Sequence, residues 1–188
     1  MGALPKTDRA FTYADYKDWE LDERERHEVI YGVAYAMSAP DARHQELLTA
    51  LLSQFYNYLR GKPCKVYPAP YDVRLFYVED QSDDTVVQPD ISVVCDEKKR
   101  GPEGCRGAPD LVVEILSPSN TAIEMDRKFK LYQYAGVREY WIVDPKNNGL
   151  TVFHFGDKPG FFIYKSTDTV NVTELPGLKI NLEQVFAG

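Results

Sequence analysis

Apolar positions along the chain fall into two repeating patterns that alternate. Residues 29–37 are a near-continuous apolar and aromatic stretch punctuated by Gly32, which predicts a β-hairpin. After Pro40 the period changes: Leu47, Leu48, Leu51, Leu52, Phe55 and Leu59 recur at helical spacing, predicting one long amphipathic helix that ends at Arg60-Gly61. Runs rich in β-branched residues then predict strands at 64–76, 86–95 and 111–116, with a turn at 81–84. Met125, Phe129 and Tyr132 restore the helical period over 120–135, and Gly136 closes that helix before a strand at 139–144. Two further strands, 150–155 and 161–166, follow, and Asn181 caps a short amphipathic turn at 182–186. Thr12 caps a short helix running to about residue 20.

The β–α–β order of 111–144 calls for two parallel strands joined by a crossover, so the fold class is α/β with a mixed sheet. At 188 residues, with no repeat, linker or low-complexity tract, the chain reads as one domain spanning 1–188. No apolar run approaches the roughly 20 residues of a membrane span, and the N-terminus lacks the apolar core of a signal peptide; a cytoplasmic protein with no membrane partner is the default. Cys64, Cys95 and Cys105 are odd in number and form no CxxC pair, so reduced thiols are expected. The net charge of −7 argues against a broad basic surface for nucleic acid. Acidity is concentrated early, with eight acids against four bases between Asp8 and Glu28. The opposite bias is local, in Lys98-Lys99-Arg100 and Arg106, which reads first as a solvated loop.

Chemistry enters with two carboxylates in apolar surroundings. Glu114 interrupts the buried run 111–116, and Asp90 sits in a similar run, 86–94. An unpaired buried carboxylate costs several kcal/mol or neutralises, so its presence needs a partner. Alternation puts Glu114 on one face with Val112 and Leu116, and Asp90 with Ser92 and Val94. On neighbouring strands the two acids can converge on a hard divalent cation, with the Ile115 backbone carbonyl as third ligand. A turn role for Asp90 and a core ion pair for Glu114 are the plainer alternatives. Taking Met125 as zero at about 100° per residue, Phe129 lies at about 40°, Tyr132 at about 340° and Lys128 at about 300°, while Lys130 at about 140° faces away. Lys128 is therefore the lysine whose ammonium can reach the carboxylates.

The text His27-Glu28-Val-Ile-Tyr-Gly32, His44 opening the long helix, Pro89-Asp90-Ile, Ala108-Pro109-Asp110-Leu-Val-Val-Glu114-Ile-Leu-Ser-Pro118-Ser119, Lys128 with Tyr132, and Gly136-Val-Arg-Glu139-Tyr-Trp-Ile-Val-Asp144-Pro145 resembles the Uma-two family of bacterial restriction-endonuclease-like proteins, within the PD-(D/E)XK nuclease superfamily. The resemblance covers nearly the whole chain. It implies a restriction-endonuclease-like mixed sheet core flanked by helices, with Asp90 and Glu114 as ligands of Mg²⁺ or Mn²⁺. It also implies a metal-dependent endonuclease acting on DNA. The superfamily pattern places lysine two residues after Glu114, where this chain has Leu116; Lys128 on the next helix supplies the charge instead. Glu28 and His44 fall within the resemblance as weaker catalytic candidates. On charge alone Glu28 reads as a surface acid, and His44 as a proton relay, a partner of a ligand or a plain helix-start histidine. Asp110 and Asp144 read as turn or cap residues, and Tyr140 and Trp141 as core. Scission of both DNA strands favours a homodimer. The rival reading is a catalytically degenerate nuclease-like fold that binds or regulates, with the carboxylate–lysine cluster as a structural ion pair. Two-carboxylate glycoside hydrolysis fits the acids, but no sugar platform is evident.

Overall fold

The structure, a computed structural model, describes residues 9–19 and 26–187. Residues 1–8, which include the expected leaderless start, and the acid-rich stretch 20–25 lie outside the described residues. In chain order come α1 (Tyr13–Tyr16), β1 (Arg26–Ile30), β2 (Val33–Met37), α2 (Ala42–Leu59), β3 (Lys65–Pro68), β4 (Val73–Arg74), β5 (Val86–Val87), β6 (Ile91–Val94), β7 (Arg100–Gly101), β8 (Gly104–Arg106) and β9 (Leu111–Ile115). Then follow α3 (Ala122–Ala135), β10 (Glu139–Asp144), β11 (Gly149–His154), β12 (Gly160–Lys165), β13 (Thr169–Asn171), β14 (Lys179–Asn181) and α4 (Leu182–Phe186). The fold is mixed α/β, as the periodicity predicts.

Two six-stranded sheets form the frame, one ordered β2-β1-β5-β4-β8-β7 and the other β12-β11-β10-β9-β6-β3, with β13 and β14 as a separate pair. In the second sheet β9 and β10 run parallel around α3, and the remaining pairs are antiparallel. Alternation along β9 sorts the core. Leu111, Val113 and Ile115 pack with Leu47, Leu51 and Phe55 of α2 and with the C-terminal Ile180 and Leu182. Val112 packs on the other face with Tyr140, with Leu131 and Tyr132 of α3, and with Val73 and Val87 of the first sheet. Tyr140 and Trp141 are buried core residues. Among the described residues no helix is long and apolar enough to cross a membrane.

Local chemistry explains the element ends. The β1–β2 turn has Tyr31 and Gly32 at φ 50° and 73°, the two positive φ values of a type I′ hairpin. A Cβ at position 32 would stand 2.4 Å from Ala10 Cβ, so glycine is required there. Asp41 caps α2 by accepting from the His44 backbone N–H at 2.8 Å. Gly136, at φ 90°, ends α3. Asp144 accepts from the N–H groups of Lys146 and Asn147, the expected turn role.

Four expectations need correction. The strands expected at 64–76 and 86–95 are each broken in two, because in both the chain leaves one sheet for the other: β3 and β6 belong to the second sheet, β4 and β5 to the first. Pro89, which cannot donate to a ladder, lies in the second break. The basic stretch is a 3-10 turn, Glu97–Lys99, leading into the β7–β8 hairpin; Lys98 stays exposed, and the other three charges are used locally: Lys99 donates to the Ala108 carbonyl, Arg100 lies 3.9 Å from Glu97 and Arg106 3.2 Å from Glu103. The first helix is confined to Tyr13–Tyr16 rather than running to residue 20.

The thiols are the fourth. Cys64 and Cys95 form a disulfide, and buried Cys105 is the free cysteine, its thiol pushed up to about 12 by burial. Sequence spacing hides the pair, because 31 residues separate its members. The antiparallel β3–β6 register, with Lys65 opposite Val94, brings them together. Closing a loop of that size stabilises a fold by about 3–4 kcal/mol in the chain-entropy estimate. Cys64→Ser with Cys95→Ser is expected to lower unfolding free energy by about 2–4 kcal/mol. Thiol titration of the native protein should find no rapidly reacting cysteine; two reactive thiols would show the bond absent.

Candidate functional site

The site lies where the two sheets meet. Asp90 stands between β5 and β6, at the residue where the chain passes from the first sheet to the second. Glu114 projects from β9 on the face shared with Val112, towards α3 and the first sheet. Glu28 comes from β1 of the first sheet, and Lys128 from α3. A cleft of about 80 Å³ is lined by Asp90, Glu114, Ile115, Lys128, His44 and Arg26, among others.

Lys128 is the hub. Its Nζ donates to Glu114 Oε1 at 2.8 Å and to Glu28 Oε1 at 3.2 Å. Tyr132, one turn further along α3 and fully buried, donates its hydroxyl to the same Glu114 oxygen at 2.6 Å. The helix phase is as expected from the sequence: Lys130 faces solvent and pairs with Asp126 at 2.7 Å. Burial pushes the Glu114 carboxyl up from its ordinary value; Lys128 opposes this, while Asp90 and Glu28 add to it. Burial alone would lower the Lys128 pKa, but Glu114 and Glu28 outweigh it and hold the ammonium charged. Tyr132 is raised well above its ordinary value by burial and then by Glu114, so it remains a donor.

Asp90 is held from two sides. Its Oδ2 accepts from the Ile115 backbone N–H at 2.7 Å and faces His44 Nε2 at 3.1 Å. Burial would lower the His44 pKa, but the Asp90 hydrogen bond and charge raise it overall. Of the readings open for His44, contact with Asp90 is the geometry found. Glu28 is fully buried, so the surface-acid reading is overturned: strand pairing carries it inward from a charged segment, with Oε1 accepting from Lys128 and the Gln88 N–H. Asp110 accepts from the Cys95 N–H and pairs with Arg138 at 3.0 Å, remote from this cluster.

Whether a divalent cation suits these residues can be tested on their oxygens. Among the described residues no three His, Cys, Asp or Glu side chains are grouped to hold a metal. Two carboxylates remain. The hydrogen bonds of Glu114 fall on Oε1 and those of Asp90 on Oδ2, leaving Glu114 Oε2 and Asp90 Oδ1 without donors among the described residues. The β6–β9 pairing ends at Val113, so Ile115 directs its N–H and its carbonyl past the end of β6, to the side where Asp90 takes the N–H. Two carboxylate oxygens and one carbonyl, completed by water, form a donor set that fits Mg²⁺.

Three residues of this neighbourhood carried no site role in the sequence reading: Tyr132, Gln88 and Arg26. Tyr132 follows Lys128 by four residues and so shares its helix face, a signal open to sequence reasoning. The other two are placed by pairing between β1 and β5, which sequence spacing does not reveal.

Residues 13–183 match the family Uma2, described as "Putative restriction endonuclease". An uncharacterized protein of Synechocystis sp. is 29% identical over 177 residues, covering 93% of this chain and 90% of that one. A second uncharacterized protein of the same organism is 26% identical over 146 residues, covering 73% and 77%. The crystal structure of a putative nuclease belonging to DUF820 from Anabaena variabilis superposes with a TM-score of 0.74 at 18% identity, covering 94% of this chain and 98% of that one, so the two share a fold.

Proposed function

Because the chain belongs to the Uma2 family, we propose that it is an endonuclease hydrolysing DNA phosphodiester bonds with Mg²⁺ or Mn²⁺ held by Asp90, Glu114 and the Ile115 carbonyl. The observation that carries this reading is that Lys128 reaches Glu114 from the next helix, at 2.8 Å, beside Asp90 in one cleft. The departure at Leu116 is thereby offset. Leu116 packs with the apolar cluster that includes Leu131 and Tyr132, while the lysine charge arrives from α3. A divalent cation bound there would polarise a phosphate oxygen and lower the pKa of a water molecule.

The chain's own groups have separate tasks in this reading. Lys128, held charged by its two carboxylates, offers positive potential where charge develops on the phosphate. Tyr132 and Lys128 fix one oxygen of Glu114 and so orient the other. His44 and the Ile115 N–H do the same for Asp90. The whole of 1–188 acts as one domain in the bacterial cytoplasm, and a homodimer presents two clefts to the two DNA strands.

One observation favours the rival reading of a binding or regulatory module: Lys128 bonds Glu114 and Glu28 together, a closed ion pair that needs no metal. Incubation with supercoiled plasmid separates the two. Nicked or linear product with Mn²⁺, and none with EDTA, is expected; intact plasmid across Mg²⁺, Mn²⁺ and varied DNA substrates would give the module reading the field.

A further inference from the structure

Among the described residues Arg26 is a cation of the cleft with no carboxylate in ion-pair contact. It lies on β1 two residues before Glu28, hence on the same face of that strand, and lines the cleft with Asp90, Glu114 and Lys128. Among the described residues its guanidinium has two hydrogen-bond partners, both neutral: Gln88 Oε1 at 2.9 Å from Nε and Met37 Sδ at 3.7 Å from Nη2. Several other arginines differ. Arg74 is buried, gripped through Nε and Nη2 by Asp83 and flanked by the rings of Tyr13 and Tyr77, so its charge is neutralised inside the fold. Arg100, Arg106 and Arg138 each face a carboxylate.

What holds Arg26 is a built network. Gln88 is 8% exposed, and its Nε2 donates to Asp72 Oδ1 at 2.8 Å and to the Tyr16 hydroxyl oxygen at 3.0 Å. The Tyr16 hydroxyl in turn donates to the same Asp72 oxygen at 2.9 Å. A carboxylate only accepts, so the amide nitrogen of Gln88 faces Asp72 and its oxygen is turned to Arg26. The backbone N–H of Gln88 meanwhile donates to Glu28 Oε1 at 2.9 Å, tying the same residue to the Lys128 cluster. Placing an amide between Asp72 and Arg26 orients the guanidinium and keeps the carboxylate out of direct contact with it, although the two charges still attract. A carboxylate at position 88 would have made another Arg74-type pair.

We propose that Arg26 is a phosphate-binding residue of this cleft, gripping a DNA backbone phosphate next to the bond that is cut, and that Gln88 is its positioning residue. The inference rests on the nuclease reading above. A planar guanidinium fork matches phosphate oxygens in pairs. On a chain of net charge −7, a cation inside the cleft with no directly bonded carboxylate among the described residues also gives DNA a reason to approach there.

Fluorescence anisotropy with a labelled DNA duplex in Ca²⁺, over a series of salt concentrations, tests this beside a Mn²⁺ cleavage assay. Arg26→Gln should weaken binding about tenfold or more and reduce the salt slope by about one, the signature of one lost phosphate contact. Arg26→Lys should restore the slope and only part of the affinity. Gln88→Met, which keeps length and removes the amide, should weaken wild-type binding severalfold yet add nothing in the Arg26→Gln background, a coupling that a merely structural role would not produce. If Gln88→Met fails to fold, the two Arg26 variants decide the matter. Wild type that cleaves DNA while Arg26→Gln binds with unchanged affinity and slope would overturn the inference and leave the nuclease reading standing. Wild type that neither binds nor cleaves DNA would overturn both.

Discussion

Glu114→Gln is expected to abolish Mn²⁺ binding in a calorimetric titration and to lower DNA cleavage by more than about 100-fold, while the protein still folds. The size follows from position: residues that merely orient a ligand cost about 10–100-fold when lost, and Glu114 is proposed as a ligand itself. Folding survives because glutamine has the same length and its oxygen can accept from Lys128 and Tyr132 as Glu114 Oε1 does. Lys128 also retains Glu28 at 3.2 Å, so no buried charge is left without a partner. Burial already works against the charged form of Glu114. Neutralising it relieves that cost, and a stability change of about 1–2 kcal/mol is the expected net. Unchanged Mn²⁺ binding in the folded variant would reject Glu114 as a ligand.

Much of this arrangement is legible in the sequence because it depends on local periods. Alternation along 111–116 places Glu114 opposite to Val113, and the structure puts Val113 in one core and Val112, which shares the Glu114 face, in the other. The turn of α3 likewise separates Lys128 from Lys130. Pairing between distant strands is a different matter. Nothing near Cys64 announces Cys95, and nothing near Glu28 announces Gln88; both contacts come from strand partners far apart in sequence. Charge density misleads in the same way at Glu28, because a five-residue strand that buries four of its residues follows directly on an acidic stretch. Breaks inside apolar runs are only partly legible: prolines stand at both, yet 64–76 and 86–95 satisfy strand propensity along much of their length, and it is the exchange of sheet partners that divides them. That division is what puts Asp90 at a junction rather than inside a ladder.

Lys128→Ala should remove metal-dependent cleavage and also cost stability, and the comparison with Lys130→Ala separates the two effects. Removing Lys128 leaves Glu114 and Glu28 facing each other across a buried site with no cation, and breaking a buried pair in this way costs about 3–5 kcal/mol. Part of that cost is recoverable. Protonation of Glu114, already favoured by burial, or a bound divalent cation, would relieve the repulsion, so Mn²⁺ should raise the melting temperature of Lys128→Ala more than that of wild type. Lys130, 70% exposed and paired with Asp126 across a solvated helix face, should change stability by no more than about 0.5 kcal/mol on replacement and leave cleavage intact. Cleavage assays on folded samples, checked by thermal melts with and without Mn²⁺, give the outcome. Activity that survives Lys128→Ala but not Lys130→Ala would place the acting charge on the opposite face of α3, and with it a different cleft from the one formed by Asp90 and Glu114.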